Sequence, residues 1–453
     1  MLLREQAGGL TADMAAKRSA ATSRSAKVDE AKLDAAAAQV DAAWDQYLPR
    51  LSFTARYTRM SVFTPPPLGT LTFVAPADPT KPANPSTQYP ANTQFSATTW
   101  AAISYPLAFP VFPNQYTLQA SLLIPLSDYV FRIYDQNRAA AANVDAVKAG
   151  AEVDRQQVSA DARVGFYNWL RAKGSVVVAK AAVKQAELHL NDLKEQFKVN
   201  AVTKADVGRI EASLAAAQLA QTRTENLVII TETNLRTLMH ASDDEGFTIG
   251  EDLTAEVAPL TDDLRALKAQ AFGKRPELHA LDAQIEALQA QSNIVAATMY
   301  PRLDAMGNMY YQRPNQRTSF VDTWLYTWDA SLQLSWSPND YLLGKNQKRE
   351  SDANIATLKA TRAQIEDALS MDVVSNYTRV KEAEAAVVSS AAERRASEEE
   401  YRVRLEQWKL AATTSSLLYD AEADLTRARL NELTARADLR IARVGLKKAI
   451  GAL

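Results

Sequence analysis

Cysteine is absent from the 453 residues, which excludes disulfides, thiolate metal sites, thiol nucleophiles and a lipid carried on an N-terminal cysteine. Histidine occurs three times, at the scattered positions His189, His240 and His279, so surface or packing roles are expected of it. Glycine is scarce, with 14 residues, while alanine, leucine, glutamate, lysine and arginine abound. That balance favours long helices over a compact α/β enzyme. Neither charge sign is in excess, 51 Lys and Arg against 53 Asp and Glu, which disfavours a basic groove and a nucleic-acid partner. No phosphate-cradling glycine pattern and no nucleophile elbow occur, so neither catalytic residues nor a cofactor are expected. The acidic group Asp243-Asp244-Glu245 lacks the glycine and spacing of a calcium loop and reads as a solvated linker. No run of about 18 apolar residues could form a transmembrane helix. Met1 to Leu10 lacks the apolar core of a signal peptide, which leaves two expectations, a cytosolic protein or one whose leader is not in this sequence.

What is present repeats itself. Glu195-Gln196-Phe197-Lys198 returns 211 residues later as Glu406-Gln407-Trp408-Lys409, and Ala142-Asn143-Val144 returns as Ala353-Asn354-Ile355. Tyr47-Leu48-Pro49-Arg50-Leu51 and Tyr300-Pro301-Arg302-Leu303 each open an alternating segment after a helical run. The expected organisation is a first repeat over 1–241, a linker or small side element over 242–260, and a second repeat over 261–453.

Within the first repeat, helical composition runs from about Leu10 to Gln46. Leu51, Phe53, Ala55 and Tyr57 then alternate with polar residues, a period of two that predicts a strand over about 50–60 with one apolar face. A proline-rich stretch over 64–113 reads as an irregular loop of unusual length. Tyr116, Leu118, Ala120, Leu122 and Ile124 predict a second strand over about 115–125, with Leu123 as the exception on its polar face. Helices follow over about 135–199 and 204–240.

The second repeat gives strands over about 302–311, where Met306 and Tyr310 blur the polar face, and over about 327–337. Helices then run over about 345–410 and 414–451. In the last helix Leu418, Ala421, Leu425, Ala428, Glu432, Ala435, Leu439, Ala442, Leu446 and Ala449 recur at three and four residues, a heptad seam. A polar residue, Gln221 or Glu432, holds the same seam position in both repeats, and small or polar seams suit helices packed side by side in a sheet. Arg394-Arg395 and Glu398-Glu399-Glu400 read as a charged outer helix face.

Each strand has the length a tilted strand needs to cross a bilayer, and Tyr57, Tyr116, Tyr311, Trp324, Tyr326, Trp328 and Trp336 fall where an aromatic belt would sit. Four strands cannot close a membrane barrel by themselves, since an open edge leaves backbone groups unpaired in hydrocarbon. Three chains would supply twelve. Two other readings stay open, a cytosolic coiled-coil scaffold and a general diffusion porin.

The order helix, strand, strand, long helix, turn, helix, written twice, resembles the TolC-like outer-membrane efflux family, the outer membrane factors. So do Tyr47-Leu48-Pro49-Arg50-Leu51, Lys204-Ala205-Asp206-Val207, and Leu418-Tyr419-Asp420-Ala421 with Ala428-Arg429. The resemblance spans about Leu10 to Leu453. It implies a mainly α fold with a small β part, assembled as a homotrimer in which a twelve-stranded β-barrel in outer-membrane lipid continues into a twelve-helix periplasmic tunnel. It also implies a passive exit duct for efflux or type I secretion, with a periplasmic adaptor (membrane fusion protein) and an inner-membrane transporter as partners. The adaptor-docking tips would fall at Asn200, Ala201, Val202 and Thr203 and at Ala411, Ala412, Thr413 and Thr414, where Asn200 and Ala411 stand at turns that often carry glycine in the family. Leu410 and Thr413 occupy the stretch where the family's acidic constriction lies, which turns attention to Asp206 as the candidate gate.

Overall fold

The computed structural model describes residue 6 and residues 8–62, 69–76, 94–95, 100–106, 111–199, 202–315, 317, 321–410 and 412–453. Its elements are α1 (Ala12–Thr22), α2 (Arg24–Asp45), β1 (Arg50–Arg59), β2 (Thr70–Pro76), β3 (Gln94–Phe95), β4 (Trp100–Pro106), β5 (Asn114–Ile124) and α3 (Asp128–Phe131). There follow α4 (Ile133–Lys198), α5 (Lys204–Leu238), α6 (Leu264–Lys274), α7 (Pro276–Ala297), β6 (Arg302–Arg313), β7 (Leu325–Ser335), α8 (Pro338–Lys409) and α9 (Ser415–Ala449). The fold is mainly helical with small antiparallel sheets.

Three local features depart from the sequence reading. The first helical run is interrupted at Ser23, which turns extended and whose hydroxyl accepts the Ser25 amide at 3.1 Å, starting α2 afresh. A helix not foreseen, α6, precedes α7; the chain extends at Arg275 because the residue before a proline avoids the helical region, and Pro276 then opens α7. The stretch read as an irregular loop carries β2, β3 and β4, which pair antiparallel in the order β2-β4-β3.

The chain divides into two compact units. One comprises Ala43–Tyr134 and Ile294–Asn346 and holds the four-stranded sheet β1-β5-β6-β7, antiparallel throughout.

The other comprises Met1–Ala42, Asp135–Asn293 and Gln347–Leu453. It lays long helices side by side in the order α5, α4, α9, α8. Lys180 and Lys194 of α4 pair with Glu225 and Glu211 of α5, Arg171 of α4 pairs with Asp438 of α9, and Asn431 of α9 bonds Glu393 of α8. Its largest buried cluster centres on Phe166, Trp169 and Leu170 of α4, with Leu235 and Met239 beside α5 and Leu433, Ala437 and Val444 of α9.

The segment after α5 packs rather than floats. Ile249 and Leu253 enter that cluster, and Arg436, Arg440 and Arg443 of α9 donate to the carbonyls of Thr254, Asp252 and Ala258. Leu10 bridges Ile249, and the backbones of Gly9 and Gly250 approach so closely that a Cβ on either would lie within 2.5 Å of the other strand. Only glycine fits there. Glu245, read as part of a solvated acidic run, pairs with Arg18 through both oxygens.

The seam of α9 is inside: Leu418, Ala421, Leu425, Ala428, Glu432, Ala435, Leu439, Leu446 and Ala449 are buried, and Ala442 partly so. The buried carboxylate of Glu432 meets Arg394 at 2.5 Å and Arg436 at 2.8 Å. Burial pushes its pKa up, but the two guanidiniums prevail and hold it below the usual carboxylate range. Arg394, read as part of a charged outer face, is therefore aimed inward at the seam.

Helix spacing is regular: α5 and α9 begin 211 residues apart and end 211 apart, as do β5 and β7. Helices α1 and α6, and α2 and α7, are instead 252 apart at both ends. The two offsets differ by 41 residues, all falling between β1 and β5, where β2 to β4 lie.

Candidate functional site: a two-faced sheet and the paired helical tips

Register decides what the sheet can do. Across it, Phe53 stands opposite Ala120, Met309 and Trp328, while Leu51 stands opposite Leu122, Gly307 and Ala330, and Ala55 opposite Leu118, Tyr311 and Tyr326. All of these lie on one face, since side chains alternate along a strand. That face is open: Phe53 is 77 % exposed and Leu332 72 %.

The opposite face is polar. Ser52, Ser121, Asn308 and Asp329 form one row across the strands. Ser121 donates to Asn308 at 2.7 Å, and Asn308 donates to Asp329 at 2.8 Å. Among the exceptions on this face, Leu123 and Met306 are register partners, while Tyr310 stands opposite Gln119 and Thr327, and Leu325 opposite Gln312.

Aromatic rings collect at one end of the sheet. Tyr57 lies 5.1 Å from Tyr116, which lies 5.9 Å from Trp324, itself stacked on Tyr311 at 4.9 Å. At the other end sit Tyr300 and Trp336, the latter's indole donating to the Met299 carbonyl. Trp328 is the exception, four residues inside β7. Strands of this length rise about 3.3 Å per residue and, tilted as in membrane barrels, span about 25 Å, the height of an apolar barrel band. Strands β1 and β7 are the two edges of the sheet.

The second candidate site is the pair of turns α4-α5 and α8-α9 in the helical unit. Asn200, Ala201 and Ala411 lie outside the described residues. Val202 packs against the small core of Leu190, Leu193, Ile210 and Tyr419. Thr203 caps α5 through a reciprocal box with Asp206, each side chain bonding the other's backbone amide. Thr414 caps α9 without a side-chain bond, Ala412 donates its amide to the Gln407 carbonyl, and the Thr413 hydroxyl is buried without a partner among the described residues.

Asp206 joins the turns. One oxygen accepts from the Thr203 amide at 3.0 Å and its hydroxyl at 2.6 Å, and the other accepts from Ser415 at 2.9 Å. The Thr203 hydroxyl and amide, followed by Ser415, hold the carboxyl below the usual range. Arg209 adds a second tie, to the Ser416 hydroxyl at 2.5 Å and Asp420 at 3.2 Å. Sequence reasoning missed Arg209, Ser415, Ser416 and Asp420; the signal that could have found the join is the Thr203-x-x-Asp206 capping pattern, since α9 has Leu417 at the matching position and borrows the acid. Behind the tip, His189 takes a packing role, buried beside Trp408 and Tyr419 with Nε2 3.3 Å from Glu422. Val199 and Leu410, the equivalent residues of the two turns, protrude, 73 % and 79 % exposed.

Asp206→Ala is expected to cost about 1 kcal/mol locally, the usual worth of a cap. Because the folded carboxyl titrates lower than the unfolded one, the tie is complete above about pH 4 and is lost as pH falls below that. Hydrogen exchange at the amides of Asp206 and Val207 should quicken in the variant at neutral pH, and in the parent only in acid.

The family model "Outer membrane efflux protein" matches residues 267–452. No curated protein matches the chain. Among solved structures, the open state of the Neisseria gonorrhoeae MtrE outer membrane channel is similar at TM-score 0.75 and 15 % identity, covering 97 % of this chain and 88 % of that one. The outer-membrane channel OprN matches at 0.74 and 17 %, covering 98 % and 90 %. The outer membrane protein VceC from Vibrio cholerae matches at 0.72 and 14 %, covering 97 % and 96 %. At such identities the likeness is one of fold. The efflux-protein family model thus matches within the second half of the chain, and nearly the whole length has the fold of these channels.

Proposed function

With that match and that fold as premise, we propose that this chain is one third of a passive exit duct in the outer membrane, serving a tripartite efflux or type I secretion system. The observation that carries the reading is a sheet with a fully open apolar face, a hydrogen-bonded polar face and two free edges. In lipid those edges must be paired, and β7 of one copy pairs with β1 of the next until three copies close twelve strands. The apolar face then meets lipid and the row Ser52, Ser121, Asn308 and Asp329 lines water. A cytosolic scaffold has no use for such a face. A porin has no use for the helices, which here form the periplasmic tunnel.

The chain does no chemistry in this reading; it supplies a wall, a gate and a docking surface. Its two halves are copies of one unit, the first enlarged by the β2 to β4 segment. The tips, from Asn200 to Thr203 and from Ala411 to Thr414, dock the periplasmic adaptor, which couples them to the inner-membrane transporter. The protruding Val199 and Leu410 offer that partner an apolar anchor at each turn. Asp206 serves the gate as a strut, keeping both tips of one chain moving together.

Detergent extraction of the outer membrane followed by native mass measurement should give a species of three chains. A monomer recovered in the soluble fraction would refute the proposal.

A further inference from the structure

Residues directly opposite one another trace a path across the sheet, and one such path runs Ser52, Ser121, Asn308, Asp329. Where copies join, the path steps from Asp329 of β7 onto β1 of the next copy. It lands on Ser52 or on a residue displaced from it, and three equal displacements make up the shear that tilts the strands of a closed barrel.

Three conditions select the displacement. It is even, because an odd step would turn the lipid face of one copy to water in the next. It is not zero, because untilted strands do not close. It also leaves as few backbone groups as possible unpaired, since both edges lie in hydrocarbon. A step of four residues toward the C-terminus of β1 meets all three: Ser335 comes opposite the partner's Arg50 and Tyr326 opposite the partner's Arg59, so β1 is paired from its first residue to its last. A step of two overhangs Leu334 and Ser335, and a step of six leaves the partner's Arg50 and the partner's Leu51 bare. A step the other way carries most of β7 past the start of β1. Four residues per copy tilt the strands by about 35°, within the range of membrane barrels.

That register joins side chains that a single sheet leaves open. On the apolar face Leu332 meets the partner's Phe53, and these are the two most exposed large apolar side chains of the four strands. Trp328 meets the partner's Tyr57, which links it to the rings of Tyr116 and Trp324 and accounts for its place away from the strand end. On the polar face Asp329 meets the partner's Arg56. The edges are complementary in charge: β1 carries Arg50, Arg56 and Arg59 and no acid, and Asp329 is the one charged residue of β7.

We propose that Asp329 pairs with the partner's Arg56 across each seam and thereby sets the register between copies. A slip of two residues either way keeps both faces correct but puts Asp329 opposite the partner's Thr54 or the partner's Thr58, so the charge pair specifies what alternation alone does not. This pairing rests on the trimeric duct proposed above and adds which residues meet.

The test uses the full-length protein in outer-membrane vesicles, where the absence of native cysteine makes introduced pairs unambiguous. Thr54 and Ser331 come opposite each other in this register, at a separation a disulfide spans, whereas a residue two places along lies too far. Within one chain they stand on opposite edges of the sheet, about 14 Å apart, so a disulfide between them joins two copies. Under mild oxidation Thr54→Cys with Ser331→Cys should give a covalent trimer that reductant dissolves. Ser52→Cys with Ser331→Cys, which reports a step of two, and Thr54→Cys with Gln333→Cys, which reports a step of six, should stay monomeric on a denaturing gel. Asp329→Arg or Arg56→Asp alone should lose the trimer on extraction, and the two together should restore it.

Cross-linking through either of the slipped pairs instead overturns the register. Single reversals that extract as trimers like the parent, or a double reversal no better than the singles, overturn the charge pair. A trimer by native mass without cross-linking between Thr54→Cys and Ser331→Cys overturns this inference alone, whereas a monomer in every arm overturns it together with the duct.

Discussion

Replacing Leu332 by arginine is expected to abolish outer-membrane insertion, whereas the same change at Ser331, one residue away, leaves it intact. The two side chains lie on opposite faces of β7: Leu332 pairs in register with Ala305 on the apolar face, and Ser331 with Met306 on the other. An arginine facing lipid costs about 2–4 kcal/mol near the midplane, and the proposed trimer would incur it three times. An arginine on the water-lined face costs almost nothing. Membrane fractionation of the two variants checks this directly, and equal behaviour would mean that the face assigned to lipid is not in lipid.

Trp169→Ala should be the most damaging single truncation of the helical unit. The indole is fully buried, with Phe166 at 5.9 Å and Phe247 at 6.3 Å, and its Nε1 donates to Glu232 at 3.1 Å. Removing so large a side chain from a core that cannot collapse around the gap costs about 3–5 kcal/mol. Glu232 also loses a donor, although Lys173 at 3.4 Å and Arg236 remain to it. Trp169→Phe keeps most of the volume and should lose about a third of that. Thermal melting of the purified protein in detergent orders the three proteins; a Trp169→Ala midpoint within a degree of the parent would show that the cluster around Phe166 is not a core.

The sheet was legible because its chemistry is written with a period of two. Alternation alone assigns Leu51, Phe53, Ala55 and Tyr57 to one face, and even the misfits Leu123 and Met306 are mutual partners. The α9 seam was legible for the same reason, at a period of three and four. Periodicity says nothing about what a polar side chain touches. Arg394 has the sequence surroundings of a surface residue and instead reaches a buried carboxylate, because the residue that draws it inward, Glu432, is about forty positions away. The strands inside the proline-rich stretch were hidden by composition, since β2 and β4 both end on a proline. At the tips, resemblance places the residues, but the sharing of one aspartate between two turns depends on the first turns of α5 and α9 meeting there and has no local signature beyond the capping box.

The unequal burial of α5 and α9 has a consequence for biogenesis. Helix α9 buries fourteen residues because it is flanked on both sides within its own chain, whereas α5 buries Ile210 and Leu235 and leaves Leu219, Leu227, Ile229 and Ile230 at the surface. In the proposed trimeric duct, a newly made copy would thus be greasy along one flank until a sister arrives. Its lifetime alone is a window for aggregation, and its stability is inseparable from how many sisters are at hand.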